Sequence, residues 1–259
     1  MSFAWIASLS AVGLLFGILI FLEVGRRIGT ARLVRDPDGL AKGAGTVEAA
    51  VFSLLGLLVA FTFYGAASRF EDRRHLITEE ANAIGTAYLR IDLLPGDAQP
   101  EMRGLFRRYL DTRSETYRNA EDATATKAKL AEAVELQREI WAKAISACRR
   151  PEAPEHTAIL LLAALNQMID ITTTRAVAIQ NHPPLVIFLL LAFVSLIASL
   201  LTGYGMSGNK HRSWLHMLAL AVMISLAVYV IIDLEFPRVG LIRVDAADQI
   251  LIDLGKSMR

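Results

Sequence analysis

Residues 49–67 read Ala49-Ala-Val-Phe-Ser-Leu-Leu-Gly-Leu-Leu-Val-Ala-Phe-Thr-Phe-Tyr-Gly-Ala-Ala67, nineteen positions without Asp, Glu, Lys or Arg, and pass directly into Ser68-Arg-Phe-Glu-Asp-Arg-Arg74. At about 1.5 Å per residue, a run of this length matches a bilayer hydrocarbon core roughly 30 Å thick. No Gly or Pro separates Ala67 from Ser68-Arg69-Phe70, so nothing local ends the helix where the apolar run ends. The stretch reads as one long helix, membrane-spanning first and polar afterwards. Anything gated in its membrane part is mechanically joined to its polar part.

Three further blocks have the same character: Ser2 to Leu22, Leu185 to Thr202 and Trp214 to Ile232, each free of Asp, Glu, Lys and Arg. The composition agrees, with 54% hydrophobic and 20% charged residues and a mean hydropathy of +0.41, against about 45–50% and 25% in soluble domains. Four transmembrane helices follow. The first block has no Lys or Arg ahead of it and is too long for a signal h-region, and Glu23 and a basic stretch follow it where a cleavage site would stand; it is read as a retained helix. Lys+Arg 27 against Asp+Glu 26 leaves a net charge of +1, without the basic field that nucleic-acid binding uses. The lone Cys148 removes a disulfide framework and a multi-thiolate metal site.

These blocks imply an all-α membrane protein, its four spans grouped as two hairpins with an extramembrane helical bundle between the second and third. The segments are a first hairpin, 1–67; the bundle, 68–182; a second hairpin, 183–233; and an amphipathic tail, 234–259. The first loop holds Arg26, Arg27, Arg32, Arg35 and Lys42 around an Asp36-Pro37-Asp38-Gly39 turn signal. Within the bundle, Phe70, Ile77, Ala81, Ile84, Tyr88 and Ile91 recur at mostly three- and four-residue steps, and Leu94-Pro95-Gly96-Asp97 ends that run. A second helix over 102–117 places Leu105, Phe106, Tyr109 and Leu110 on one stripe. A third, from about Asp122 to Arg149, is expected to bury Leu130, Val134, Ile140, Trp141 and Ile145. A fourth covers 157–181 and stops at His182-Pro183-Pro184. In the tail, Leu251, Ile252 and Leu254 form the apolar side.

Charge does not orient the chain. One arrangement puts seven Lys/Arg of the first and last membrane-side loops inside, the other eight from the bundle flanks and tail, and a difference of one decides nothing.

Several motifs dissolve on inspection. Thr202-Gly203-Tyr204-Gly205 has the letters of a potassium filter, but such a filter needs a short re-entrant helix before it, and here a full-length span leads straight in. Gly203 to Gly208 matches G-x-G-x-x-G without the preceding strand and following amphipathic helix. His75, His156, His182, His211 and His216 are scattered, with no pair at metal-ligand spacing, and there is no nucleophile elbow or P-loop. No catalytic residue can be nominated, so the chain is not read as an enzyme. Gly13 and Gly17 make a GxxxG pair, which says only that something packs there. In the second span Ala49, Ser53, Gly56 and Ala60 share a face that admits a close neighbour, while Leu54, Leu58 and Phe61 form another stripe. That stripe suits a lipid or core contact, or a hydrophobic constriction that gates a pore by dewetting. Asp233, Glu235 and Asp245 read as solvated helix ends, or as calcium candidates whose spacing fits no defined loop.

The combination resembles the bestrophins. Phe61-Thr-Phe-Tyr-Gly-Ala-Ala-Ser-Arg-Phe-Glu-Asp-Arg-Arg74 is similar to the signature in which the family's pore helix ends, and Ile231-Ile-Asp-Leu-Glu-Phe-Pro-Arg-Val-Gly240 with Asp245 is similar to its Pro-Phe-Gly segment and trailing acids. Arg175 and Pro183-Pro184 stand as the family's Arg and prolines do before its third span. Nearly the whole chain resembles the bacterial bestrophin-like domain family of unknown function, through Glu79-Glu-Ala-Asn-Ala-Ile-Gly-Thr-Ala-Tyr88, Ala163-Ala-Leu-Asn-Gln-Met-Ile-Asp170 and Asp233-Leu-Glu-Phe-Pro-Arg-Val-Gly240. The departures are Thr62 and Phe63 where bestrophins carry Arg and Asn, Ala67 for a Tyr, and Arg238-Val239 where the acidic run begins.

The resemblance implies an oligomer, a pentamer in bestrophins, around an anion pore lined by the second helix. Leu54, Leu58 and Phe61 would form its neck, and Arg69, Arg73 and Arg74 would ring the inner mouth. It also implies a bacterial inner membrane location with bundle and termini cytoplasmic, and as partners the lipid bilayer and small inorganic ions, with no nucleic acid and no cofactor. The alternative is a non-conducting scaffold or sensor whose bundle binds a partner, favoured by those departures and by the lack of mid-span charge.

Overall fold

The computed structural model describes residues 3–35, 44–118, 123–208 and 213–258; Asp36-Pro37-Asp38-Gly39, Lys42, Asp122 and His211 lie outside the described residues. Among those described the protein is all helix and turn, with α1 Phe3–Arg35, α2 Ala44–Leu89, α3 Gln99–Arg118, α4 Ala123–Cys148, α5 Thr157–Gln180, α6 Leu185–Gly205, α7 Trp214–Glu235 and α8 Asp245–Ser257. Four of these helices are long and apolar enough to cross a membrane.

α2 is one helix of 46 residues, as the absence of a breaker after Ala67 predicts. α1 differs from expectation. It continues through the arginines to Arg35, because Glu23 pairs at helical spacing with Arg26 at 3.0 Å and Arg27 at 2.9 Å. Such i,i+3 and i,i+4 pairs support a helix that composition alone reads as a loop.

The chain forms two compact units, Met1–Ser68 with His182–Phe236, and Arg69–Asn181 with Pro237–Arg259. Within the first, the close packing is of α1 against α6 and α7, so the expected grouping of chain neighbours into hairpins is not the dominant contact among the described residues. Backbones meet there because side chains are missing: a Cβ on Gly25 would fall 1.9 Å from the Leu200 carbonyl oxygen, and one on Gly203 1.9 Å from that of Leu22. Small residues on α6, Ser195, Ser199 and Gly203, and Ser207 just past its end, recur every four residues and are all buried. Ser195 and Ser199 donate to the carbonyls of Leu191 and Ser195, each at 2.7 Å, so their burial leaves no hydroxyl unpaired. Gly13, expected to pack, has nothing within 4 Å of a Cβ position. The glycine pair that matters is Gly25 and Gly29.

The second unit is built around Ile77, Ile84, Phe106, Tyr109, Ile140 and Leu165, all essentially inaccessible. The expected α3 stripe is buried, and so is that of α2 except for Phe70 and Tyr88, which pack partly buried against the core. α4 is rotated relative to expectation: Ala133, Leu136, Ile140, Ala144 and Ala147 face the core, while Leu130 and Val134 are exposed. Its alanines admit neighbouring helices closely, which a face of Val and Trp does not. In α8 Leu251 is buried but Ile252 is exposed. Tyr88 on α2 donates to the Met258 carbonyl at 3.1 Å and packs edge-on to Phe106.

Candidate functional site: the open face of the second helix

Of the membrane part of α2, residues 45–67, only Leu55 and Ala66 are buried within a single chain. Most of the others are exposed and apolar, with Glu48, Val51, Phe52 and Val59 among the half-buried ones. Leu54 is 49%, Leu57 51% and Phe61 66% exposed, and their steps of three and four put them on one side of the helix. Leu58, assigned by periodicity to this stripe, is half-buried instead. Ala49, Ser53, Gly56 and Ala60 flank it, all exposed. The face stays apolar despite its hydroxyls, because Ser53 donates to the Ala49 carbonyl at 2.8 Å and Thr62 to that of Leu58 at 2.6 Å. At the start of the helix Glu48 is turned toward α6 and accepts from the Thr202 hydroxyl at 2.8 Å.

The basic residues that follow separate by environment. Arg73 is buried and donates from Nε to the Ala178 carbonyl at 3.1 Å and from Nη2 to that of Asn181 at 2.9 Å. It closes the C-terminal end of α5, where carbonyls lack helical partners. Arg74 is exposed and pairs with Glu71 at 2.9 Å; Arg69 is half-buried. Only Arg74 of the three is openly presented in a single chain.

The calcium candidates do not assemble. Among the described residues no group of three or more His, Cys, Asp or Glu side chains is placed to hold a metal ion. Asp233 and Glu235 are buried; Glu235 lies 3.5 Å from His182, whose ring stacks on Phe236 with centroids 4.4 Å apart. Asp245 is instead held by Arg243 at 2.9 Å.

One charged cluster escaped the sequence reading. In the second unit Glu80 lies between Arg113, whose Nε donates to it at 2.5 Å, and Arg175, and all three are buried. Burial pulls the Arg175 guanidinium down to about 9, with repulsion from Arg238 adding and Asp248 opposing; it remains protonated at neutral pH. The signal was present in register: Glu80 follows Ile77 by three and precedes Ile84 by four, which places a carboxylate inside an apolar stripe.

Helix order and spans of this kind have a counterpart among known proteins. A family model, the Bestrophin-like domain, matches residues 12–248. The chain belongs to the bestrophin-like family. The solved bestrophin homolog from Klebsiella pneumoniae is 14% identical, covers 93% of this chain and 98% of its own, and superposes with a TM-score of 0.64. A point variant of that homolog gives 15% identity, the same coverage and a TM-score of 0.67. A crystal structure described as a membrane protein gives 14%, 94% and 98% coverage, and 0.65. At these identities the likeness is one of fold. No curated protein sequence matches the chain. With four candidate spans and the bestrophin fold, this bestrophin-like chain is an integral membrane protein.

Proposed function

We propose that this bestrophin-like protein is a homo-oligomeric ion channel, a pentamer on the family pattern, in which the open face of α2 lines an apolar neck for anions. The observation that carries the reading is that α2 buries less of its membrane segment within its own chain than the other spans do, with only Leu55 and Ala66 of residues 45–67 buried. A face mixing bulky residues with Ala49, Ser53, Gly56 and Ala60 suits neighbouring helices better than lipid. Leu54, Leu57 and Phe61 offer an uncharged constriction of the kind that gates by dewetting. In this reading the bundle, residues 68–182, and both termini are cytoplasmic in a bacterial inner membrane, with Arg69 and Arg74 at the inner mouth and Arg73 a structural support.

The test is reconstitution of the purified protein into planar bilayers, with its mass measured by native mass spectrometry. Anion currents from a five-chain particle are expected. A monomer or dimer, or a silent pentamer, overturns the channel and leaves a membrane scaffold whose bundle binds a partner.

A further inference from the structure

The far end of α1 carries a second feature, independent of conduction. α6 and α7 leave one stripe of α1 uncovered: Leu9, Val12, Phe16, Ile20, Val24 and Ile28, each between 41% and 65% exposed. The exposed Gly13 falls within this stripe, but from Phe16 onward its exposed apolar members are all bulky. Bulky aliphatic and aromatic side chains suit acyl chains, whereas small ones suit close helix contact.

The apolar run of α1 ends at Leu22, and the helix continues from Glu23 to Arg35, about 18 Å at 1.5 Å per residue. Those residues pass through a headgroup layer about 5–7 Å deep, and Arg32 and Arg35 stand four and seven residues past Ile28, the last member of the apolar stripe, about 6 and 10 Å along the helix. They include Arg26, Arg27, Arg32 and Arg35 against the single acid Glu23. Glu23 is shared by Arg26 and Arg27, and no described residue pairs with Arg32 or Arg35, both of which are exposed. Helical side chains lean toward the N-terminus, so these two guanidiniums lean back toward the bilayer, as long basic side chains do at an interface. The platform is fixed: Gly25 and Gly29 seat this part of α1 on α6 at Leu200 and Tyr204 and on Ser207 just past its end.

We propose that the end of α1 binds the phosphate of anionic phospholipids, in the leaflet on the side of the α1–α2 connection, with acyl chains along the Phe16 to Ile28 stripe. A guanidinium matches a phosphate bidentately, and each basic residue near an anionic surface adds to the attraction. The same arginines complement the helix dipole at a C-terminus, a role that needs no lipid, so the experiment has to separate the two.

Purified protein in a neutral detergent is titrated with dioleoylphosphatidylglycerol or dioleoylphosphatidylcholine, and bound lipid is counted by native mass spectrometry. The anionic lipid is expected to bind on the order of tenfold more tightly. The double variant Arg32→Gln with Arg35→Gln should lose most of that preference, and Arg107→Gln with Arg108→Gln, exposed on α3, should keep it. No preference in the unaltered protein, or an undiminished one in the first double variant, overturns the proposal. Inorganic phosphate that displaces the lipid and binds as tightly reassigns the site to free anions and overturns the lipid commitment.

Discussion

The Glu80 carboxylate accepts from Arg113 Nε at 2.5 Å while neither side chain reaches solvent. Arg175 is the second cation on the same carboxylate, so α2, α3 and α5 meet on one buried anion. Removing one partner of a buried ionic group leaves the others uncompensated and costs about 3–5 kcal/mol, whereas replacing the whole group by apolar residues is often neutral. Glu80→Gln is therefore expected to lower the thermal midpoint in detergent by on the order of 10 °C. The triple variant Glu80→Leu, Arg113→Met, Arg175→Met should retain more stability than that single change. Equal midpoints for Glu80→Gln and the unaltered protein would show that the cluster contributes nothing.

The α1–α6 contact sets a sharper contrast. Adding one methyl at Gly203 places a Cβ against the Leu22 backbone, and backbone cannot swing aside as a side chain can. Gly203→Ala should destabilise by about 1–3 kcal/mol or more and broaden the size-exclusion profile. Gly13→Ala meets open space and should leave both unchanged. Comparable behaviour of the two variants would mean that α1 and α6 do not meet as described.

What the sequence conveyed, and what it withheld, follows from the range of the forces involved. Helix continuity from Ala44 to Leu89 is a local property, decided by the absence of a breaker, and was legible. So were the bundle stripes of α2 and α3, where large apolar residues recur at helical spacing. The extension of α1 was missed because Arg26 and Arg27 read as loop composition until paired with Glu23. Gly13-Gly17 and Gly25-Gly29 have the same spacing, and only the partner helix distinguishes them. Leu57 and Leu58 are adjacent and both continue a three-four pattern from Leu54 to Phe61, so periodicity could not show that Leu57 is the more exposed of the two in a single chain. Glu80 meets partners 33 and 95 residues away, beyond any local pattern.

Cys148, the chain's single cysteine, sits half-buried at the end of α4 against the core of the second unit. Burial pushes its thiol up from the ordinary value, because the thiolate loses hydration there. A raised value means less thiolate at pH 7–8, so modification by a maleimide should be slower than that of free cysteine across this range. The whole rate–pH profile should be displaced to higher pH than that of a free thiol, whose value is about 8.5. A profile that levels with free cysteine would place Cys148 in water.

The most direct probe of the open α2 face compares two neighbouring leucines. Leu57 and Leu58 have the same volume and the same helix propensity, and differ by about 100° around the helix axis. Leu57 is exposed with Leu54 and Phe61, whereas Leu58 is half-buried within its own unit. If the exposed stripe forms the neck, truncating Leu57 widens an apolar constriction and lowers the dewetting barrier to ions, while truncating Leu58 only loosens packing. Leu57→Ala and Phe61→Ala are thus expected to raise single-channel conductance or open probability several-fold in reconstituted bilayers. Leu58→Ala should conduct as the unaltered protein does but melt at a lower temperature, since a partly buried leucine is lost at a cost of up to about 2 kcal/mol. The reverse pattern, with conduction sensitive to Leu58 and indifferent to Leu57, would rotate the pore-facing side of α2 by one residue. Indifference to all three would remove α2 from the conduction path altogether.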